Sequence, residues 1–203
     1  MNFINFKNLL KKFTVFSLQD IKMVIPDFYI QRLVEWQKKG YIKKIIRKYY
    51  IFSDLDIDEN ILFNISNKIY KPSYISFESA MSFYGFIPES VYSVTAVTTR
   101  KTYKFDTLTA KFSYHTLNKK LYFGYKTVNG KSGNFLIAEP EKAIIDYLYI
   151  NTHIRKREDI EEMRFNSIPM REKIHKNILD EYTGRFGNKL LKERISILKG
   201  MIF

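Results

Sequence analysis

Residues 17–52 read SLQDIKMVIPDFYIQRLVEWQKKGYIKKIIRKYYIF, and this stretch decides the fold class. Ser17 followed by Asp20 is a helix-start pattern: a hydroxyl to take up a free amide, with an acid three residues on to answer it. Leu18, Ile21, Val24 and Ile25 keep helical spacing until Pro26, which cannot continue the element. Asp27 is a candidate cap for a second helix, with Ile30, Leu33, Val34 and Gln37 on one face and Trp36 a turn from Leu33. Gly40 stands where a left-handed residue closes a helix. Two β-prone runs follow, Tyr41–Ile46 and Tyr49–Phe52, about the basic centre Arg47-Lys48. Helix, tight turn, helix and basic hairpin is the order of a winged helix-turn-helix. In that fold the second helix enters a major groove and the hairpin touches phosphate.

With Ile30, Leu33 and Trp36 turned inward, the outward side chains of the second helix are Phe28, Tyr29, Gln31, Arg32 and Glu35. Gln31 and Arg32 are the best base readers, because their forks match adenine and guanine edges. Glu35 is also placed to pair with Arg32 at i+3. Lys43, Lys44, Arg47 and Lys48 are the candidate phosphate contacts. Charge distribution agrees: residues 1–52 hold 11 Lys+Arg and 3 Asp+Glu, so +8 of the net +13 lies in a quarter of the chain. Distribution is more informative than the total, since Lys, Asn, Ile, Phe and Tyr are all abundant, as AT-rich coding would produce.

The acidic run Asp54-Leu55-Asp56-Ile57-Asp58-Glu59 ends the basic block and marks a boundary, giving a DNA-binding unit over 1–56 and a larger unit over 57–203. Its spacing is not that of a calcium loop, because Glu59 occupies the position that needs glycine and Ile65 the one that needs a bidentate acid. Upstream, Phe3, Phe6, Leu9, Leu10 and Phe13 predict a first helix. Downstream, helices are expected over 59–69 and 77–84, then strands over 91–98, 102–105, 111–114 and 121–128. Asn129-Gly130 is a hairpin turn signal leading to Phe135–Ile137. Pro140 opens a helix, and the last fifty residues read as helices, with Leu191, Ile195 and Leu198 on one face. The fold class is α+β: a winged helix-turn-helix, then a mixed α/β domain with an antiparallel sheet and C-terminal helices.

Cysteine is absent, which excludes disulfides and thiolate zinc sites. No apolar run approaches the ~18 residues of a membrane span, and Met1–Lys7 lacks a signal-peptide core, so a cytoplasmic protein is expected. His115, His153 and His175 have no metal-ligand spacing, and no P-loop or Gly-Ser-plus-aspartates nucleotidyltransferase pattern occurs. No metal, cofactor or catalytic residue is expected. A metal-dependent nuclease using Glu141, Lys142 and Asp146 is one alternative, and a protein-interaction adaptor is another.

Residues 75–146 carry a series of short motifs. They are Ile75-Ser76-Phe77-Glu78-Ser79-Ala80-Met81, Tyr84-Gly85-Phe86-Ile87-Pro88-Glu89, Val97-Thr98-Thr99-Arg100-Lys101, Phe112-Ser113-Tyr114, Phe123-Gly124-Tyr125 and Ile137-Ala138-Glu139-Pro140-Glu141-Lys142-Ala143, followed by Asp146. In this order, downstream of a winged helix, the series resembles the AbiEi-type antitoxins of bacterial abortive-infection toxin–antitoxin systems. The resemblance implies an autorepressor that binds double-stranded promoter repeats, and a C-terminal domain that counters a nucleotidyltransferase-like toxin without requiring a stable complex. On this reading Glu78, Arg100, Lys101 and Lys142 are the candidate antitoxin surface, since such side chains are rarely buried unless paired. One departure stands out. Family wings commonly read Arg-Gly where this chain has Arg47-Lys48, so the turn lacks its glycine while gaining charge.

Overall fold

Ser17 fixes the first boundary by a reciprocal cap. Its hydroxyl accepts the Asp20 amide at 3.1 Å, and the Asp20 carboxylate accepts the Ser17 amide at 2.7 Å. The structure, a computed structural model, describes residues 1–88, 93–107, 109–130 and 133–203. The architecture is mixed α+β. Helix α1 (Phe3–Leu10) precedes strand β1 (Phe16–Ser17), helices α2 (Leu18–Val24) and α3 (Gln31–Lys38), and strands β2 (Ile42–Ile46) and β3 (Tyr49–Phe52). The strands form an antiparallel sheet in the order β1-β3-β2. Asp27 does not cap α3, which begins four residues later with Ile30 at its N-cap position.

The alternation of this small sheet serves two cores. Phe16, Ile42, Tyr50 and Phe52 pack with Phe6, Leu10, Ile21, Leu33 and Trp36 of the three helices. Ile45, Tyr49 and Ile51, with Val15 just ahead of β1, pack into the larger core built by the rest of the chain. The acidic stretch after β3 therefore links two packed units that share a wall of strands.

That larger core begins with α4 (Glu59–Ile69), capped by Asp58, whose carboxylate accepts the Ile61 amide at 2.8 Å. Next come β4 (Ser73–Ile75), α5 (Phe77–Phe83), β5 (Ser93–Thr98), β6 (Tyr103–Asp106), β7 (Lys111–Thr116), β8 (Tyr125–Gly130) and β9 (Gly133–Ala138). They form a six-stranded sheet in the order β6-β7-β5-β4-β9-β8. The expected antiparallel sheet is in fact mixed. The β6–β7 hairpin folds back so that β7 lies beside β5 and runs parallel to it, and β4 is parallel to β9. Val91, expected to start β5, lies outside the described residues. The expected strand over 121–128 begins only at Tyr125, because its first expected residue, Leu121, ends a 3-10 turn that starts at Lys119.

Asn129 and Gly130, expected to form the hairpin turn, belong to the strand ladder instead: Asn129 pairs with Asn134 and Gly130 with Gly133. Packing requires glycine at both ladder ends. A side chain at Gly130 would meet the Gly133 carbonyl at 2.9 Å, and one at Gly133 the Asn64 amide at 2.6 Å. Helices α6 (Pro140–Ile150), α7 (Arg157–Glu161), α8 (Ser167–Lys173), α9 (Lys176–Phe186) and α10 (Lys189–Ile202) complete the chain. Among the described residues no helix is long and apolar enough to cross a membrane.

Because Ile51 is fully buried in the larger core, Ile51→Ala should cost about 2–5 kcal/mol. The expected outcome in calorimetry is one cooperative transition for the whole chain, shifted down in the variant. Two transitions of which only one moves would show that the shared wall does not couple the units.

Candidate nucleic-acid interface

Helix α3 presents its outer face because Leu33 and Trp36 anchor the inner one. Gln31 and Arg32 are exposed, as expected, and Tyr29 just ahead of the helix is 64% exposed. Two neighbours exchange roles. Phe28 is buried, with its ring 5.3 Å from Phe6 and 5.9 Å from Trp36, whereas Ile30 faces solvent. The late start of α3 explains this: residues 26–30 form a turn rather than a helical rotation, so helical spacing does not apply there. With Val34 also exposed, the outer face mixes apolar side chains with the polar candidates. Apolar groups in a major groove contact thymine methyls.

Arg32 is held in place before any partner arrives. Its Nη1 donates to Glu35 at 2.8 Å, and Lys39 donates to the other carboxylate oxygen, also at 2.8 Å. The hydrogen bonds from Lys39 and then Arg32 hold the Glu35 carboxyl below its ordinary range. The pair is exposed, so its contribution to stability is small. Its effect is orientation: Glu35 holds the Arg32 guanidinium along the helix.

The basic hairpin follows α3 in the same unit, and its strand β2 contacts that helix. Lys43 and Lys44 are exposed on β2, and Arg47-Lys48 form the whole connection between β2 and β3. Lys48 takes φ +75°, the left-handed conformation that glycine adopts without strain. The turn therefore closes without glycine at a cost of about 1–2 kcal/mol, and four cations crowd one strand and its turn.

The C-terminal candidates separate into two settings. Arg100 and Lys101 are exposed, after β5. The Arg100 guanidinium lies 4.7 Å from the Tyr70 ring centre and donates to the Lys71 carbonyl at 3.3 Å. Glu78 is half-buried in the first turn of α5, and no ion pair among the described residues joins it to Arg100. Lys142 is a correction. It is 0% exposed, so it is not part of any surface.

Lys142 instead lies a helical turn from Asp146, also 0% exposed, and the two form an ion pair. Tyr74 completes a triangle: Lys142 donates to its hydroxyl at 2.8 Å, and that hydroxyl donates to Asp146 at 2.9 Å. Ser76 donates to the same carboxylate oxygen at 2.8 Å. Burial pushes the Lys142 ammonium down and the Asp146 carboxyl up, and each partner opposes the other's shift. Removing one member of such a pair costs about 3–5 kcal/mol, because the other is left as an uncompensated charge. Glu141, also buried, accepts the His175 amide at 2.7 Å. The groups that the nuclease alternative requires are therefore enclosed and engaged with one another or with backbone. Sequence reading missed Tyr74 and Ser76 as partners, because β4 is too short to show a strand pattern. It missed Arg194 too, which is buried and donates at 2.7 Å to the Leu148 carbonyl near the end of α6.

No protein-family model and no curated protein matches this chain.

Lys48→Gly is expected to relieve the left-handed strain and raise stability by about 0.5–1 kcal/mol. A melting curve reads it directly: Tm should rise for Lys48→Gly and fall for the β-branched Lys48→Val. Equal melting of all three proteins would show that the turn carries no strain.

Proposed function

We propose that the chain is a DNA-binding antitoxin and transcriptional autorepressor acting in the cytoplasm, with residues 1–56 as a winged helix-turn-helix. One observation carries the DNA-binding part. The exposed face of α3 and the basic β2–β3 turn belong to one module, and residues 1–52 of that module hold +8 of the net +13 charge. On this reading Lys43, Lys44, Arg47 and Lys48 neutralise phosphates, which supplies affinity without sequence information. Gln31, Arg32 and Tyr29 reach base edges, and Ile30 and Val34 add apolar contacts. Arg32 becomes available when its bond to Glu35 is exchanged for one to guanine.

The antitoxin part rests on the resemblance of residues 75–146 to the AbiEi-type family, and its partner would be a nucleotidyltransferase-like toxin. With Lys142 in the core, the exposed cations Arg100 and Lys101 remain as the surface for that role, and Arg100 is already fixed against Tyr70.

Binding to the chain's own promoter should weaken with salt at a log–log slope of roughly −4 to −5, for four to six phosphate contacts. Lys44→Ala and Arg47→Ala should each weaken binding about equally on promoter and random DNA and reduce that slope by about 1. Salt-independent affinity in a gel-shift series would remove the DNA-binding reading. A loss confined to the promoter would make the hairpin a base reader instead.

Arg100→Ala and Lys101→Ala should keep the melting curve and promoter binding of the parent but reduce growth rescue from a cognate toxin. Full rescue by both variants would take the antitoxin role away from this surface.

A further inference from the structure

Strand β4 ends too soon to cover its neighbour. It pairs with β9 only through Ile75 and Ile137. Beyond that point side chains of α4 replace a strand: Asn67 accepts the Leu136 amide at 2.6 Å, and Asn64 donates to the Asn134 carbonyl at 2.8 Å. Two amides satisfy the backbone but do not fill the volume that a strand would occupy. The result is a cleft of about 410 Å³ between α4 and the β8–β9 edge of the sheet, within the roughly 300–1,000 Å³ of small-molecule sites.

Its chemistry is specific. Tyr122 and Tyr125 line it with rings 5.1 Å apart, and Tyr125 is stacked at 4.9 Å on the buried Tyr74. Tyr74 is in turn held by Lys142 and Asp146, so the aromatic side of the cleft is backed by the buried ion pair. Lys68 and Lys71 supply positive charge, and no acidic residue lines the cleft among the described residues. Ser73, also in its wall, has a buried hydroxyl with no hydrogen-bond partner among the described residues. Buried polar groups are nearly always paired, so this one has capacity for a ligand.

We propose that this cleft binds a small planar anion of the nucleoside monophosphate class. The flat ring stacks against Tyr122 and Tyr125, the anionic group meets Lys68 and Lys71, and Ser73 offers the hydrogen bond at the wall. Lys68 also donates to Asp20 at 3.1 Å, and Asp20 closes the cap of α2. An anion in the cleft thus competes with Asp20 for Lys68. The site stands apart from the hairpin and from whether the module binds DNA.

Titration calorimetry on the full chain tests this with the four common ribonucleoside monophosphates, their nucleosides and inorganic phosphate. The expected result is one-to-one binding of at least one monophosphate at submillimolar concentration, with its nucleoside and phosphate each about tenfold weaker or more. Lys71→Ala, at an exposed position, should lower that affinity about tenfold, as should Tyr122→Ala. Lys44→Ala, on the hairpin, should leave it unchanged. Absence of binding at millimolar concentration overturns the proposal. So does phosphate binding as tightly as the monophosphate, or an affinity that falls with Lys44→Ala but not with Lys71→Ala.

Discussion

The structure depends on a three-stranded sheet with apolar residues on both faces. Small antiparallel sheets commonly cover a core on one side and meet water on the other. Here Phe16, Ile42, Tyr50 and Phe52 seal the helical unit, while Ile45, Tyr49 and Ile51 enter the large core. A strand loaded on both faces has its register fixed twice, because a one-residue slip would invert both sets at once. The position of the basic turn follows from this, since Arg47 and Lys48 are the two residues between strands whose apolar side chains are committed to the two cores. Ion pairs reinforce the same junction: Lys68 meets Asp20, and Lys7 meets Asp54. Burial alone would raise the Asp20 carboxyl, but the bonds from Ser17 and Lys68 outweigh it and hold it below its ordinary range. Its stabilising contribution is therefore present above the ordinary carboxylate range and lost as pH falls through the folded value.

The second fixed point is the Lys142–Asp146–Tyr74 triangle. It ties α6 to β4, the shortest strand of the large sheet, at a depth where neither charge has access to water. Lys142 also lies about 5 Å from the rings of Phe123 and Phe186, so its charge faces aromatic surfaces as well as Asp146. Gly124 is close packed against its stem, where a side chain would come within 3.2 Å. The motif residues Phe123-Gly124-Tyr125 thus pack around the fully buried Lys142 and Asp146.

Local signals were legible wherever the physics is local. The Ser17–Asp20 box, Gly40 at φ +71° and Pro140 at the start of α6 all act within a turn of chain, and each marks the element expected from it. What was not legible depends on distant partners. The two-residue β1 and three-residue β4 exist only because longer strands pair with them. Phe28 reads as outward by helical spacing, yet its ring is drawn under α3 by Phe6 and Trp36. Asn129-Gly130 reads as a turn, but both residues pair across the ladder with Asn134 and Gly133 of the partner strand. Of the candidate side chains, Gln31, Arg32, Lys43, Lys44, Arg47 and Lys48 are exposed on one module as expected. Lys142 is not on the surface, since its i+4 partner Asp146 satisfies it inside the core.

The doubly loaded sheet also governs how such a chain can change over generations. A DNA-reading module joined by a free tether could be exchanged between relatives as a cassette. Here Val15, Ile45 and Ile51 are shaped to the core of the adjoining unit, so a transplanted module would arrive with the wrong inner surface for its new host. The outer face of α3 and the Arg47-Lys48 turn touch neither core. Change is therefore channelled into a handful of exposed positions, while the strands that carry them must co-evolve with both halves of the molecule.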